Sequence, residues 1–125
     1  MPRSGVFALA VLCVFMTTAG QVVLKIGVSN PVLLDLLSSG QKMIFLGRAV
    51  ASPMVMAGFL LDGAGALLWL LVLGNADLSY AYPLISLGFV ASAIFAHFAM
   101  NEALGATRVI GIALICVGAV LVARS

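Results

Sequence analysis

Gln21 and Lys25 stand four residues apart in an apolar run, so on a helix they share one face. An ammonium offers three donors and no acceptor, which suits it to an anion such as a phosphate. The plainer alternative is a lysine that snorkels to a membrane surface and anchors its helix. Asp62 interrupts a second apolar run, where a carboxyl is costly and by default a functional candidate. It could neutralise Lys25, titrate during transport or receive an amino group of a substrate. A protonated aspartate hydrogen-bonded at a subunit interface is the competing structural reading.

A third polar position is the short loop Asn101-Glu102-Ala103-Leu104-Gly105, which Glu102 shares with Arg108. Glu102 is a candidate substrate contact, against the alternative of a solvated loop charge or a cap before the next helix. His97 lies about one turn before it; a lone histidine there serves an interface more often than a proton relay. Trp69 could wall an apolar chain, or simply pack against lipid and neighbouring helices. Tyr80 and Tyr82 suit a membrane boundary, where aromatic rings anchor helix ends. No nucleophile–base arrangement, glycine-rich phosphate loop or metal-ligand spacing occurs, so neither catalysis nor a cofactor nor a metal is expected.

These residues sit in a chain of 125 residues that is 64% hydrophobic and 8% charged, with a mean hydropathy of +1.28. A soluble domain carries about 25% charged residues. The apolar surface must therefore face lipid. A net charge of +2 without a clustered basic face excludes a nucleic-acid partner. Cys13 and Cys116 fall in apolar runs near opposite ends and read as small buried residues rather than a disulfide pair. The first apolar run is long and has no convincing small-residue cleavage site, so a cleaved leader is not expected.

A spanning helix needs about 20 predominantly apolar residues. Runs of that kind cover about 6–26, 53–73, 80–100 and 106–123. Lipid offers no partner to backbone groups, so these are helices. Asn30-Pro31, Ser52-Pro53 and Gly74-Asn75-Ala76-Asp77 punctuate them, proline at a first helical turn losing no hydrogen bond. The expected fold is all-α: one transmembrane domain, residues 1–125, forming a four-helix bundle. Short connections predict helices two and three, and three and four, as antiparallel neighbours. In the longer connection, 31–48, Val32, Leu33, Leu36, Leu37, Met43, Ile44 and Leu46 alternate with Asp35, Ser38, Ser39, Lys42 and Arg48. That pattern predicts a short helix lying in the membrane interface, the alternative being an unstructured loop.

Arg3, Asp77 and Arg124 then fall on one side, and Lys42, Arg48, Glu102 and Arg108 on the other, with Lys25 at its margin. The basic asymmetry is too small to assign an orientation. Four helices make a thin wall, so Gln21, Lys25, Asp62 and His97 are expected to share a cavity with a second subunit. Gly111 and Gly118, seven apart beside Ala119, offer that subunit a surface for close approach. Glycines are also common in spanning helices generally, and Gly63 and Gly65 in helix two allow close packing or bending.

The stretch Gly111-Ile-Ala-Leu-Ile-Cys-Val-Gly118 resembles the last helix of the small multidrug resistance transporters, whose glycine pair packs a dimer. The chain as a whole resembles the EamA-like four-helix members of the drug/metabolite transporter superfamily. Leu68-Trp-Leu-Leu-Val-Leu-Gly-Asn75, Ala81-Tyr-Pro-Leu-Ile-Ser-Leu-Gly-Phe89, Ala19-Gly-Gln21, Lys25 and Asn101-Glu102 together resemble subunits of the undecaprenyl-phosphate-aminoarabinose flippase. The multidrug branch has a membrane glutamate in helix one; here Val6 to Ile26 contains no acid and offers Gln21 and Lys25. A cationic drug would meet like charge there, whereas a lipid-linked phosphate would meet its counter-ion.

The resemblance implies a multi-pass protein of the bacterial inner membrane, a flippase of an undecaprenyl-phosphate-linked sugar, working with lipid and as a homodimer or heterodimer with a similar subunit. Two alternatives stay open. One is a proton-coupled exporter of small polar or cationic metabolites with Asp62 as the coupling acid. The other is a non-transporting membrane subunit of a glycosyltransferase or heteromeric complex.

Overall fold

A computed structural model describes residues 2–125, the side chain of Arg3 excepted. The charge of Arg3, counted above on one membrane side, therefore lies outside the described residues. The chain is all-helical: α1 (Arg3–Val28), α2 (Pro31–Ser38), α3 (Lys42–Ala51), α4 (Pro53–Asn75), α5 (Leu78–Leu84), α6 (Ser86–Ala99) and α7 (Ala106–Arg124). Among the described residues four helices are long and apolar enough to cross a membrane: Ser4–Val28, Pro53–Asn75, Leu78–Ala99 and Ala106–Arg124. Leu60, Leu67, Phe98 and Leu114 point outward, as side chains do when lipid is the solvent.

The connection between the first two spans differs from the single interfacial helix expected. It forms two short helices, because Gly40 adopts φ +76°, a backbone that L side chains rarely take. Asn30 starts α2 by accepting from the Val32 N–H at 2.9 Å, with Pro31 at the first helical position. Met43, Ile44, Leu46 and Val50 of α3 remain exposed.

The third span begins at Leu78, earlier than Tyr80, with the Asp77 carbonyl accepting from the Tyr80 and Ala81 N–H groups. It is also interrupted. Proline has no N–H and its ring crowds the preceding turn, so Pro83 breaks the ladder and the helix restarts after Ile85. Tighter bonds repair the gap: Ile85 N–H to the Tyr82 carbonyl at 3.0 Å, and Ser86 Oγ–H to the Pro83 carbonyl at 2.5 Å.

Glycines decide which spans meet. A Cβ on Gly20 would lie 2.9 Å from the Gly58 carbonyl, and one on Gly58 3.0 Å from the Gly20 carbonyl. The two backbones touch at this crossing, and α1 and α4 form the tightest pair in the bundle. Gly65 continues that contact on Thr17 and Cys13, while Gly63 of the same helix faces open space. Gly88 brings α6 against Thr18 and Val14 of α1. The third span thus packs on α1 and α7 and meets α4 chiefly through α5. The expected pairing of spans two and three is therefore replaced: they are joined by a short turn, but the glycine contacts seat both on the first span.

At the end of the bundle holding the N-terminus, Val6, Ala10, Cys13, Val72, Ala81 and Leu84 form the buried core, with Leu68 and Trp69 packed on it. Cys13 and Cys116 are both free.

Candidate functional site

Near its C-terminal end α1 carries Gln21 and Lys25 on one face, toward α6. An open groove of about 310 Å³ lies there, lined by Gln21, Val22 and Lys25 of α1, by Ser92, Phe95 and Ala96 of α6, and by Met100 and Glu102. The lining thus holds a cation and an amide from α1 and a carboxylate from just beyond α6. Among the described residues neither Lys25 nor Glu102 is in an ion pair, so both charges are available to a guest.

Local backbone chemistry puts Glu102 in place. Asn101 takes a left-handed conformation, φ 55°, which asparagine tolerates better than most residues. The chain then turns so that the Glu102 N–H reaches the Ala96 carbonyl at 3.0 Å. His97 Nδ1 lies 3.0 Å from the Glu102 carbonyl; a carbonyl only accepts, so the ring nitrogen is the donor. His97 accordingly ties the turn, with its ring edge-on to Phe98 at 5.0 Å.

Asp62 reaches the site indirectly. Its Oδ2 accepts from Gln21 Nε2 at 2.8 Å, across the α1–α4 crossing. Its Oδ1 is buried and has no hydrogen-bond partner among the described residues. It lies over Gly20, where a Cβ would be only 2.7 Å away.

Of the residues singled out from sequence, Gln21, Lys25 and Glu102 line one groove, Asp62 holds Gln21, and His97 holds the Glu102 backbone. Trp69 lies apart, on the core at the other end of the bundle. Arg108 lines a separate depression with Ala103, Gly105 and Thr107. Gly111 and Gly118 face open space, a Cβ on either meeting nothing within 4 Å. Val22, Ser92, Phe95, Ala96 and Met100 complete the groove and went unread, since one serine and four apolar residues in apolar runs stand out in no pattern. The Gly20–Gly58 crossing left a trace: Cys13, Gly20 and Gly27 in α1, and Gly58, Gly65 and Val72 in α4, each recur at seven-residue spacing. Among the described residues no group of three His, Cys, Asp or Glu could hold a metal ion.

Over 116 residues, 93% of this chain and 95% of the relative, the sequence is 33% identical to the probable 4-amino-4-deoxy-L-arabinose-phosphoundecaprenol flippase subunit ArnE of Pseudomonas fluorescens strain Pf0-1. The chain belongs to the ArnE family. A relative of the same name in Pectobacterium atrosepticum is 45% identical over 64 residues, 51% of this chain and 57% of that protein. Another, in Pseudomonas fluorescens strain Pf-5, is 40% identical over 62 residues, 50% of this chain and 54% of that protein. The matched stretch thus spans little more than half the length of these two relatives. No family model matches the chain, and no solved structure does. ArnE membership and four spanning helices make this a multi-pass protein of the bacterial inner membrane, and the resemblance to aminoarabinose flippase subunits is borne out.

Proposed function

We propose that this chain translocates a lipid-linked amino sugar, with Lys25 holding the phosphate and Glu102 the sugar ammonium. The observation that carries the reading is the groove itself, which presents a cation and a carboxylate, neither in an ion pair among the described residues, on one largely apolar surface. The names of the relatives supply the matching chemistry, a phosphoundecaprenol bearing an amino-arabinose. A primary amine is cationic near neutral pH and a phosphodiester is anionic, so the head needs both partners. Phe95 and Met100 beside the charges are compatible with the first isoprene units. The tail already dissolves in lipid, so a small protein has only the head to shelter.

Translocation of this kind breaks no covalent bond, and the chain is read as a transporter without enzymatic activity. Consumption of the product on the far face would give the movement its direction. Residues 1–125 act as one transmembrane domain. The relatives are named as subunits, which supports assembly with a second similar chain, as homodimer or heterodimer. Gly111 and Gly118 form the assembly surface, because glycine lets helix backbones approach closely and this face is open.

The test uses liposomes loaded with polyprenyl-phosphate-linked 4-amino-4-deoxy-L-arabinose. A membrane-impermeant amine reagent reports how fast heads change leaflet. The protein should accelerate this exchange, and Lys25→Ala should slow it about tenfold, the loss of one charge-assisted contact. An unchanged rate in Lys25→Ala would remove the phosphate contact.

A further inference from the structure

We infer that Asp62 is a positioning residue, holding the Gln21 amide in the head groove rather than binding substrate or carrying a proton. The inference rests on the proposed groove and adds a role for a residue outside it. Asp62 does not line the groove, whereas Gln21 does. Among the described residues the one hydrogen bond its carboxyl makes is the 2.8 Å acceptance from Gln21 Nε2. Its other oxygen is buried without a partner among the described residues, over the backbone of Gly20. A substrate amine entering from the groove would meet the Gln21 amide before reaching Asp62.

A glutamine side chain has three rotatable bonds, so an untethered amide in an open groove samples many orientations. Anchoring one N–H on α4 leaves the second N–H and the amide oxygen of this groove-lining side chain without a partner among the described residues, one helical turn from Lys25. The amide would then read hydroxyl or phosphate oxygens while Lys25 supplies charge. This tether needs only an acceptor at position 62. It does not need a carboxyl that gains and loses a proton. Asparagine keeps an acceptor oxygen in the same place, and leucine keeps the volume without one.

Selective ¹⁵N-glutamine labelling tests this directly, because the chain holds only Gln21 and Gln41. In lipid nanodiscs the Gln21 side-chain amide should be shifted and slowed relative to the loop glutamine. Asp62→Asn should preserve that signature and Asp62→Leu should abolish it, a result read without any transport. In the liposome exchange assay Asp62→Asn should keep KM within about twofold and leave the pH profile unchanged. Asp62→Leu should raise KM about tenfold with little change in turnover, match Gln21→Leu, and add nothing to it in the double variant. Loss of exchange or a flattened pH profile in Asp62→Asn would mean that the carboxyl titrates in the cycle, and would overturn the inference. Additive effects of Asp62→Leu and Gln21→Leu would overturn it too. Failure of the proposed function shows separately, as an exchange rate that is insensitive to Lys25.

Discussion

At the scale of single residues, the chemistry divides between groups that face the groove and groups that hold them. Lys25 and Glu102 face it; Asp62 and His97 stand behind. The proposed head therefore makes a distinct demand on Glu102. Glu102→Gln keeps the size of the side chain and removes its charge. It should raise KM about tenfold for the amino-sugar head and leave a head with hydroxyl in place of the amine unaffected, because only the ammonium gains from the carboxylate. Exchange assays with the two lipids side by side make the comparison. Lys25→Arg keeps the cation and should retain most of the exchange that Lys25→Ala loses.

At the scale of elements, two neighbouring glycines of α4 separate packing from propensity. Gly58 lies at the crossing with α1, where a Cβ would come within 2.7 Å of Leu24 Cγ, whereas a Cβ at Gly63 meets nothing within 4 Å. Gly58→Leu should destabilise the bundle by about 1–3 kcal/mol, the usual cost of overpacking. Gly63→Leu adds the same hydrophobic bulk to the same helix and should stay within about 0.5 kcal/mol, as surface substitutions do. Reversible denaturant titration in mixed micelles reads both. The same crossing carries Asp62 toward Gln21, so loss of the Gly58 contact should also weaken head binding.

At the scale of the whole molecule, α7 is the least enclosed span, with only 6% of its apolar stretch buried. Gly111→Leu and Gly118→Leu project into open space within the chain, so each should leave the folded subunit intact. If this face packs a second subunit, native mass spectrometry should shift from dimer to monomer, with thermal unfolding of the subunit unchanged. The four spans, the lipid-facing surface and the pairing of Gln21 with Lys25 on one face follow from hydropathy and helical period alone. Both are local properties, written in consecutive residues. The two-helix connection and the break after Pro83 were half legible: Gly40 and Pro83 stand in plain view, but a long apolar run masks a local interruption. Tertiary structure decided which spans touch, that Asp62 reaches Gln21 across Gly20, and that Glu102 closes the groove while Trp69 lies far from it. Those outcomes depend on backbone approach distances between segments some forty or more residues apart, and the period of any one helix carries no information about which partner will fill its glycine notch.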